Sequence, residues 1–237
     1  NDYEIYEVKS STEIKDIYLD DVSYQYYVLS NLGYNITKTS IIHINSNYVR
    51  YGELNLNQLF TIKDTTNISI SKQPEIKKNI DIINKYMLHT EEQPKDIGNH
   101  CYKPYPCPFF KYCKKHLPSQ NVFDIRIMKT QTKLNLYQNN IYSYEDLLKA
   151  DINDKYKQQI EFELYDKAPI INKDAIKSFL DNLTYPLYFL DFETYQQPIP
   201  MYDGISPYMQ IPFQYSLHYI KEKNSKLEHT DFLAEPN

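Results

Sequence analysis

No stretch of this 237-residue sequence reaches about 18 consecutive apolar residues, so no helix of bilayer-spanning length is encoded. Positive charge is also short. The 26 Lys and Arg stand against 31 Asp and Glu, for a formal net charge of −5. The chain as a whole is therefore no basic coat for nucleic acid, and contact with DNA or RNA must use a local patch or metal-bridged phosphates. Cysteine is scarce, with three residues. Without secretory features these point to a reducing, cytoplasmic setting, where grouped thiols serve metals more often than disulfides. Internal repeats and long low-complexity linkers are missing. The chain starts at Asn1 without Met and stops in "FLAEPN", which reads like mid-domain sequence, so a segment of a longer protein is expected.

Core material is ample: 41% hydrophobic and 15% aromatic residues suit one large domain or two small ones. The 25 Tyr, with abundant Ile, Lys and Asn, match an AT-rich genome, so a single Tyr or Asn weighs little. "YEIYEVK" (3–9) alternates as a strand. "LDDVSYQYYVLSNLG" (19–33) follows as a helix, with Asp20 or Asp21 as N-cap and Gly33 just past its end. "TKTSIIHIN" and "YVRYGEL" read as two short strands. In "QPEIKKNIDIINKYMLHT", Ile76, Ile80, Ile83 and Met87 recur at helical spacing. A Pro- and Cys-bearing loop from His100 to Pro118 closes this first unit. Residues 121–183 lack a strong strand signal, and "TKLNLYQNN", "YSYEDLLKA" and "DAIKSFLDNL" predict a small helical connector. From Tyr185 the pattern returns to strand. "PFQYSLHYI", the polar turn "KEKNSK" and "LEHTDFL" form a hairpin beside "LYFLDFE".

Three stretches carry chemistry. In the first, Glu7 and Lys9 lie two apart on one strand and share a face. A carboxylate there can hold a divalent cation while an ammonium positions or polarises an attacking water. Gln25, three after Val22 and four before Leu29, places an amide on the helix's apolar face. A surface Glu/Lys pair and a core Gln with a satisfied amide would give the same letters. Strand "EVKSS", a charged loop and "DDVSYQYYVL" together resemble the end of a PD-(D/E)XK nuclease core. The likeness is to the RecB-like branch that includes the CRISPR-associated Cas-type exonucleases. It implies Glu7 as a metal ligand, Lys9 as the catalytic lysine and Gln25 as the helix-motif residue. Position 29 is Leu where that family has Tyr, with Tyr26 and Tyr27 nearby. The family's upstream Asp belongs to a preceding strand, and Asp2 is too close to Glu7 to serve. The site in this segment is expected to be incomplete.

In the second stretch, "HCYKPYPCPFFKYCKKH", Cys101, Cys107 and Cys113 follow a C-x5-C-x5-C spacing. Pro104, Pro106 and Pro108 exclude a regular helix through its first half. Three thiols on a compact loop suggest a metal centre, and three unrelated buried thiols are the plain alternative. Most structural centres need a fourth ligand. His100 or His116 could complete a zinc site, or a Cys before Asn1 could do so. "CPFFKYC" resembles the end of the C-terminal cysteine trio with which RecB-like nucleases of this branch hold a four-iron cluster. That resemblance implies an iron–sulfur cofactor, with Zn²⁺ as the alternative. Lys111, Lys114, Lys115 and His116 form a basic cluster suited to a phosphate backbone or simply to solvent.

The third stretch is "YPLYFLDFETYQQPIP". A strand that reads as buried carries Asp191 and Glu193 on one face. Two buried carboxylates side by side repel and lose hydration, at a cost on the order of several kcal/mol that a divalent cation offsets. A strand end where both acids reach solvent is the plainer reading. The full run to "IPFQYSLHYI" resembles the first two strands of an RNase H-like DEDD exonuclease. There a D-x-E pair binds two cations for phosphodiester cleavage, and Asp191 and Glu193 match that pair. His218, on the second strand, is poorly placed to be the family's general base. "YEVKSS", "DDVSYQYYVL", "CPFFKYC", "LDFETY" and "PYMQIPFQYSLH", in this order, also resemble an uncharacterised bacterial family, a domain of unknown function that joins these parts.

The expected fold class is α/β (α+β). Residues 1–120 would form a partial RecB-like nuclease with its Cys-rich metal loop, 121–183 a helical connector, and 184–237 the first strands of an RNase H-like domain. The expected function is a metal-dependent nuclease, an exonuclease using Mg²⁺ or Mn²⁺ on DNA in preference to RNA, in repair or defence. The alternative is a non-catalytic, metal-stapled scaffold that binds nucleic acid or protein.

Overall fold

The computed structural model describes residues 1–235. Strand β1 (Asp2–Lys9) alternates as its sequence predicts, with Ile5 buried and Glu7 and Lys9 half-buried beside it. Helix α1 (Asp16–Asn31) leads to β2 (Asn35–Ile44), which pairs with β1 in parallel. Parallel pairing demands such a crossover, because a tight turn cannot reverse the chain twice. Gly33 follows α1 at φ +91°, a conformation in which any side chain would be strained. The helix starts a full turn earlier than its sequence suggests. Lys15 sits at the N-cap without a side-chain bond, and Asp20 and Asp21 are inside the helix. That frees Asp21 from capping.

β3 (Phe60–Asp64) pairs antiparallel with β2, so the first sheet runs β1-β2-β3. The strand expected at "YVRYGEL" is instead a loop. Buried Tyr48 accepts a hydrogen bond from the Asn55 amide (3.1 Å), and Gly52 turns the chain at φ +70°. Asn55 then caps the short helix α2 (Leu56–Leu59). β-Propensity there yields to side-chain and turn chemistry. Ile5, Val22 and Ile41 form the small core between α1 and the sheet, with Leu29 packed against it. Beside that core, α3 (Thr66–Ser71) is held by buried hydroxyls. Thr39 Oγ1 lies 2.9 Å from both Thr65 Oγ1 and Ser69 Oγ. Helix α4 (Gln73–Met87) follows as predicted, although Ile83 and Met87 at its far end are exposed.

Chain compactness divides the molecule into residues 1–88 with 177–237, and residues 89–176. This division differs from the expected one. The cysteine loop packs with the helical stretch after it rather than closing the first unit. Cys101, Leu117, Val122, Phe123, Leu134, Tyr144 and Ile160 share one core, built by α6 (Thr130–Gln138), α7 (Tyr144–Lys149) and α8 (Asp154–Leu164) around the loop and its one-turn α5 (Phe110–Cys113). The physical reason is apolar. Phe110 stacks edge-on against Phe123 at 5.2 Å, which ties the loop to the start of the helical stretch.

Helix α9 (Lys173–Asp181) precedes the second sheet, which is antiparallel throughout: β4 (Leu187–Tyr195), β5 (Ile211–Ile220) and β6 (Glu228–Leu233). The hairpin matches the sequence reading. The described residues thus form an α+β structure with two small sheets. No described helix is long and apolar enough to cross a membrane.

Thr39→Val keeps the shape of the side chain but leaves the Thr65 and Ser69 hydroxyls short of a buried partner. We expect a loss of about 1–3 kcal/mol, read as a lower urea midpoint. The exposed Thr230→Val should stay within about 0.5 kcal/mol. Equal midpoints for the two variants would contradict the hydroxyl network.

Candidate active site

The Glu7 and Lys9 side chains stand at the carboxyl end of β1, the end at which parallel strands generally present ligand-binding groups. Lys9 Nζ lies 2.8 Å from Glu7 Oε1 and 2.6 Å from Asp21 Oδ2. Gln25 donates from Nε2 to Glu7 Oε2 at 2.7 Å and to Asp21 Oδ1 at 3.2 Å. Glu7, Lys9 and Gln25, drawn together by sequence reasoning, therefore meet in one constellation. Asp21 completes it, and sequence reasoning misses it. The available signal is its i, i+4 spacing to Gln25, hidden by assigning Asp21 to the cap. Leu29, where the resembled family has Tyr, faces the core and does not reach the polar group.

The electrostatics arise from this packing. Burial opposes the charge on Lys9, but hydrogen bonds to Asp21 and Glu7 outweigh it, so its pKa lies above the ordinary lysine value. The bond from Lys9 is the main reason that the Asp21 carboxyl lies below the ordinary value, with a second contribution from Gln25. The Lys9 ammonium also sits 5.1 Å from the centre of the Tyr18 ring. A single cation is thus fixed between two carboxylates from different elements.

These donors fit a hard divalent ion in kind. Both carboxylates offer oxygen, and the ammonium already stands where a positive charge is favoured. Mg²⁺ commonly takes one or two carboxylates and fills its remaining positions with water and substrate phosphate. Among the described residues no group of three or more His, Cys, Asp and Glu could hold a metal ion, so the protein share here is two carboxylates.

Asp191 and Glu193 share a face of β4, but the burial expected for them is not found. Both are exposed, as are Phe189, Leu190 and Phe192 around them. The desolvation argument therefore does not apply to this pair. The reason is that β4 lies at an edge of its sheet with neither face covered by described residues. Neither acid is neutralised by a described Lys or Arg ion pair. Register places Asp191 beside Ser216 and Ser216 beside Asp231, so a second acid that sequence reasoning passes over lies on the same face two strands away. On that face the His218 and His229 rings stack at 4.3 Å, and His229 Nε2 lies 3.0 Å from Ser216 Oγ.

The three cysteines stay near one another in the chain path, with the Cys107 amide donating to the Cys101 carbonyl at 2.9 Å. Cys101 is buried, while Cys107 and Cys113 are half-buried. Their thiols, with the neighbouring His100 and His116, do not make a metal-holding group as placed. Cys101 belongs to the apolar core of this unit, and Cys107 and Cys113 pack against it.

The loop after β4 returns to the first sheet within the same compact unit. Arg50 Nη1 donates to the Pro200 (3.1 Å) and Met201 (2.9 Å) carbonyls, and Asp203 accepts from the Gly52 amide at 2.8 Å. Tyr208 donates to the Ser10 carbonyl, one residue beyond Lys9.

Asp21 sets a pH dependence. A carboxyl with a depressed folded pKa stabilises the fold fully above its unfolded value near 4, and loses that contribution as pH falls through the folded value. Lys9, raised, contributes below its unfolded value and loses that contribution in strong alkali. Asp21→Asn should therefore flatten the fall of Tm between about pH 5 and pH 2. An unchanged acid slope would contradict the bridge.

Residues 188–237 match a family described as Domain of unknown function (DUF2779), a span that includes Asp191 and Glu193 but neither Glu7 nor the cysteines. No curated protein matches the chain, and no solved structure does.

Proposed function

We propose that this chain belongs to a metal-dependent nuclease that hydrolyses nucleic-acid phosphodiesters, an exonuclease acting on DNA in preference to RNA in a cytoplasmic repair or defence setting. The observation that carries this reading is the meeting of Glu7, Lys9, Asp21 and Gln25 at the end of β1. The PD-(D/E)XK resemblance expects a carboxylate, a lysine and a glutamine in that relation. The RNase H-like resemblance of the second sheet is supported by its antiparallel β4-β5-β6 order and by the D-x-E acids on one face.

Each residue has a distinct task. Glu7 and Asp21 present the oxygens that would hold Mg²⁺ or Mn²⁺. A bound ion supplies charge neutralisation at the phosphate and an acidified water. Lys9 donates hydrogen bonds to both carboxylates, and its ammonium is the group that would be offered to the scissile phosphate or to the attacking water. Gln25 is a positioning residue: it holds Glu7 Oε2 and so fixes the carboxylate plane. Asp191 and Glu193, unpaired by any described cation, offer a second oxygen pair. The iron–sulfur or zinc centre is proposed on cysteine spacing alone, and no step runs through it.

One observation favours the scaffold alternative. Lys9 already satisfies both carboxylates, which is a stable resting arrangement without an ion. Cleavage of end-labelled DNA by the full-length protein with Mg²⁺ or Mn²⁺ separates the two. The nuclease reading predicts turnover that falls about 100-fold or more in Lys9→Ala or in Asp191→Asn. Binding without cleavage, indifferent to both substitutions, would establish the scaffold instead.

A further inference from the structure

In a chain of net charge −5, residues 97–123 contain no Asp or Glu and four lysines. The same stretch exposes large aromatic rings that its own core does not use. Tyr105 is 62% and Phe109 68% exposed, and Tyr112 is open as well. Their neighbours Tyr102 and Phe110 turn inward, 5.3 Å apart, and Phe110 rests on Phe123. The outward rings are thus mounted on a packed base rather than on a loose loop. Pro104, Pro106 and Pro108 restrict the backbone between them further.

The charges are similarly arranged. Lys114 is engaged with Asp124 at 3.0 Å, while Lys103 and Lys111 are exposed without a described acid partner. Lys115 lies 3.6 Å over the Tyr112 ring, whose hydroxyl donates to Glu92 at 2.5 Å. Exposed rings and cations interleaved along one short stretch suit a ligand with alternating flat apolar faces and negative charges. A single-stranded nucleic acid is such a ligand, because its unstacked bases expose π-faces and its phosphates repeat along the chain. A duplex hides those faces. An anionic bilayer would be met by an amphipathic helix, and α5 spans only four residues.

We propose that the surface formed by Lys103, Tyr105, Phe109, Lys111, Tyr112 and Lys115 is a stacking platform for single-stranded DNA or RNA. It rests on the reading that the protein acts on nucleic acid, but it needs neither Glu7 nor Asp191. In such a platform the rings contribute stacking and the lysines contribute counterion release, two contributions that separate experimentally.

The test is fluorescence anisotropy of the full chain with a labelled oligothymidylate and with a duplex of equal length, without added divalent ions. The absence of divalent ions lets binding succeed or fail independently of cleavage. The single strand should bind more tightly. Tyr105→Ala with Phe109→Ala should weaken it by about tenfold or more, while Tyr51→Ala, an exposed ring elsewhere, leaves it unchanged. Lys103→Gln with Lys111→Gln should lower the slope of log K against log salt by about 1.4. Circular dichroism melting checks that these surface variants stay folded. Absent single-strand binding, tighter duplex binding, affinity indifferent to the two rings, or displacement by phosphatidylserine vesicles would each overturn the proposal.

Discussion

The Lys9 ammonium held between Glu7 and Asp21 is the constraint on which the first half of the molecule turns. It ties the end of β1 to the second turn of α1, while Gln25 closes the other side of both carboxylates. Two acids brought this close would repel if left alone. With one cation between them, the arrangement is neutralised in part and geometrically fixed. The small apolar core of Ile5, Val22 and Ile41 sits directly beneath it, so packing and polar contacts enforce the same helix–strand alignment. That alignment makes the site a product of the fold rather than of a loop.

The second sheet obeys a different logic. Its carboxylates Asp191 and Glu193 lie in water, and the aromatic residues of β4 are as exposed as the acids. One face carries Asp191, Glu193, Ser216, His218, His229 and Asp231 together with Phe189 and Leu233, and the other carries Tyr188, Leu190, Phe192 and Tyr215 together with Glu228 and Thr230. The acids gain nothing from a low dielectric here, so their pairing expresses local sequence pattern rather than stored electrostatic tension. The loop anchored by Arg50 and Asp203 nonetheless brings the chain following these acids back to the end of β1. The two sets of carboxylates therefore belong to one compact unit.

Much of this is legible in the letters, and the failures have physical causes. The period-2 pattern of 3–9, the helical spacing in 73–87 and the hairpin of 211–233 are readable because local apolar spacing and the polar turn between the hairpin strands mark them in the sequence itself. Sharing of a face by Glu7 and Lys9 is a consequence of strand geometry alone. Asp21 escapes notice because an acid near a helix start resembles a cap, and only the folded chain places the start at Asp16. "YVRYGEL" has strand-like residues, but Gly52 and the Tyr48 hydroxyl commit it to a turn. The burial of Asp191 is inferred from its apolar neighbours, and that inference fails when the neighbours are themselves exposed. Sequence order groups the cysteine loop with the strands before it, whereas aromatic contacts across long sequence separation group it with the helices after it.

We propose that Glu7 with Asp21, and separately Asp191 with Glu193 on β4, receive a divalent ion. Titration of Mn²⁺ into the full-length protein, followed by the electron paramagnetic resonance signal of the free ion, tests this most directly. The protein should suppress the free signal, and Glu7→Gln with Asp21→Asn, and separately Asp191→Asn with Glu193→Gln, should each release part of the bound ion. No suppression by the native chain, or suppression unchanged in all variants, would contradict it.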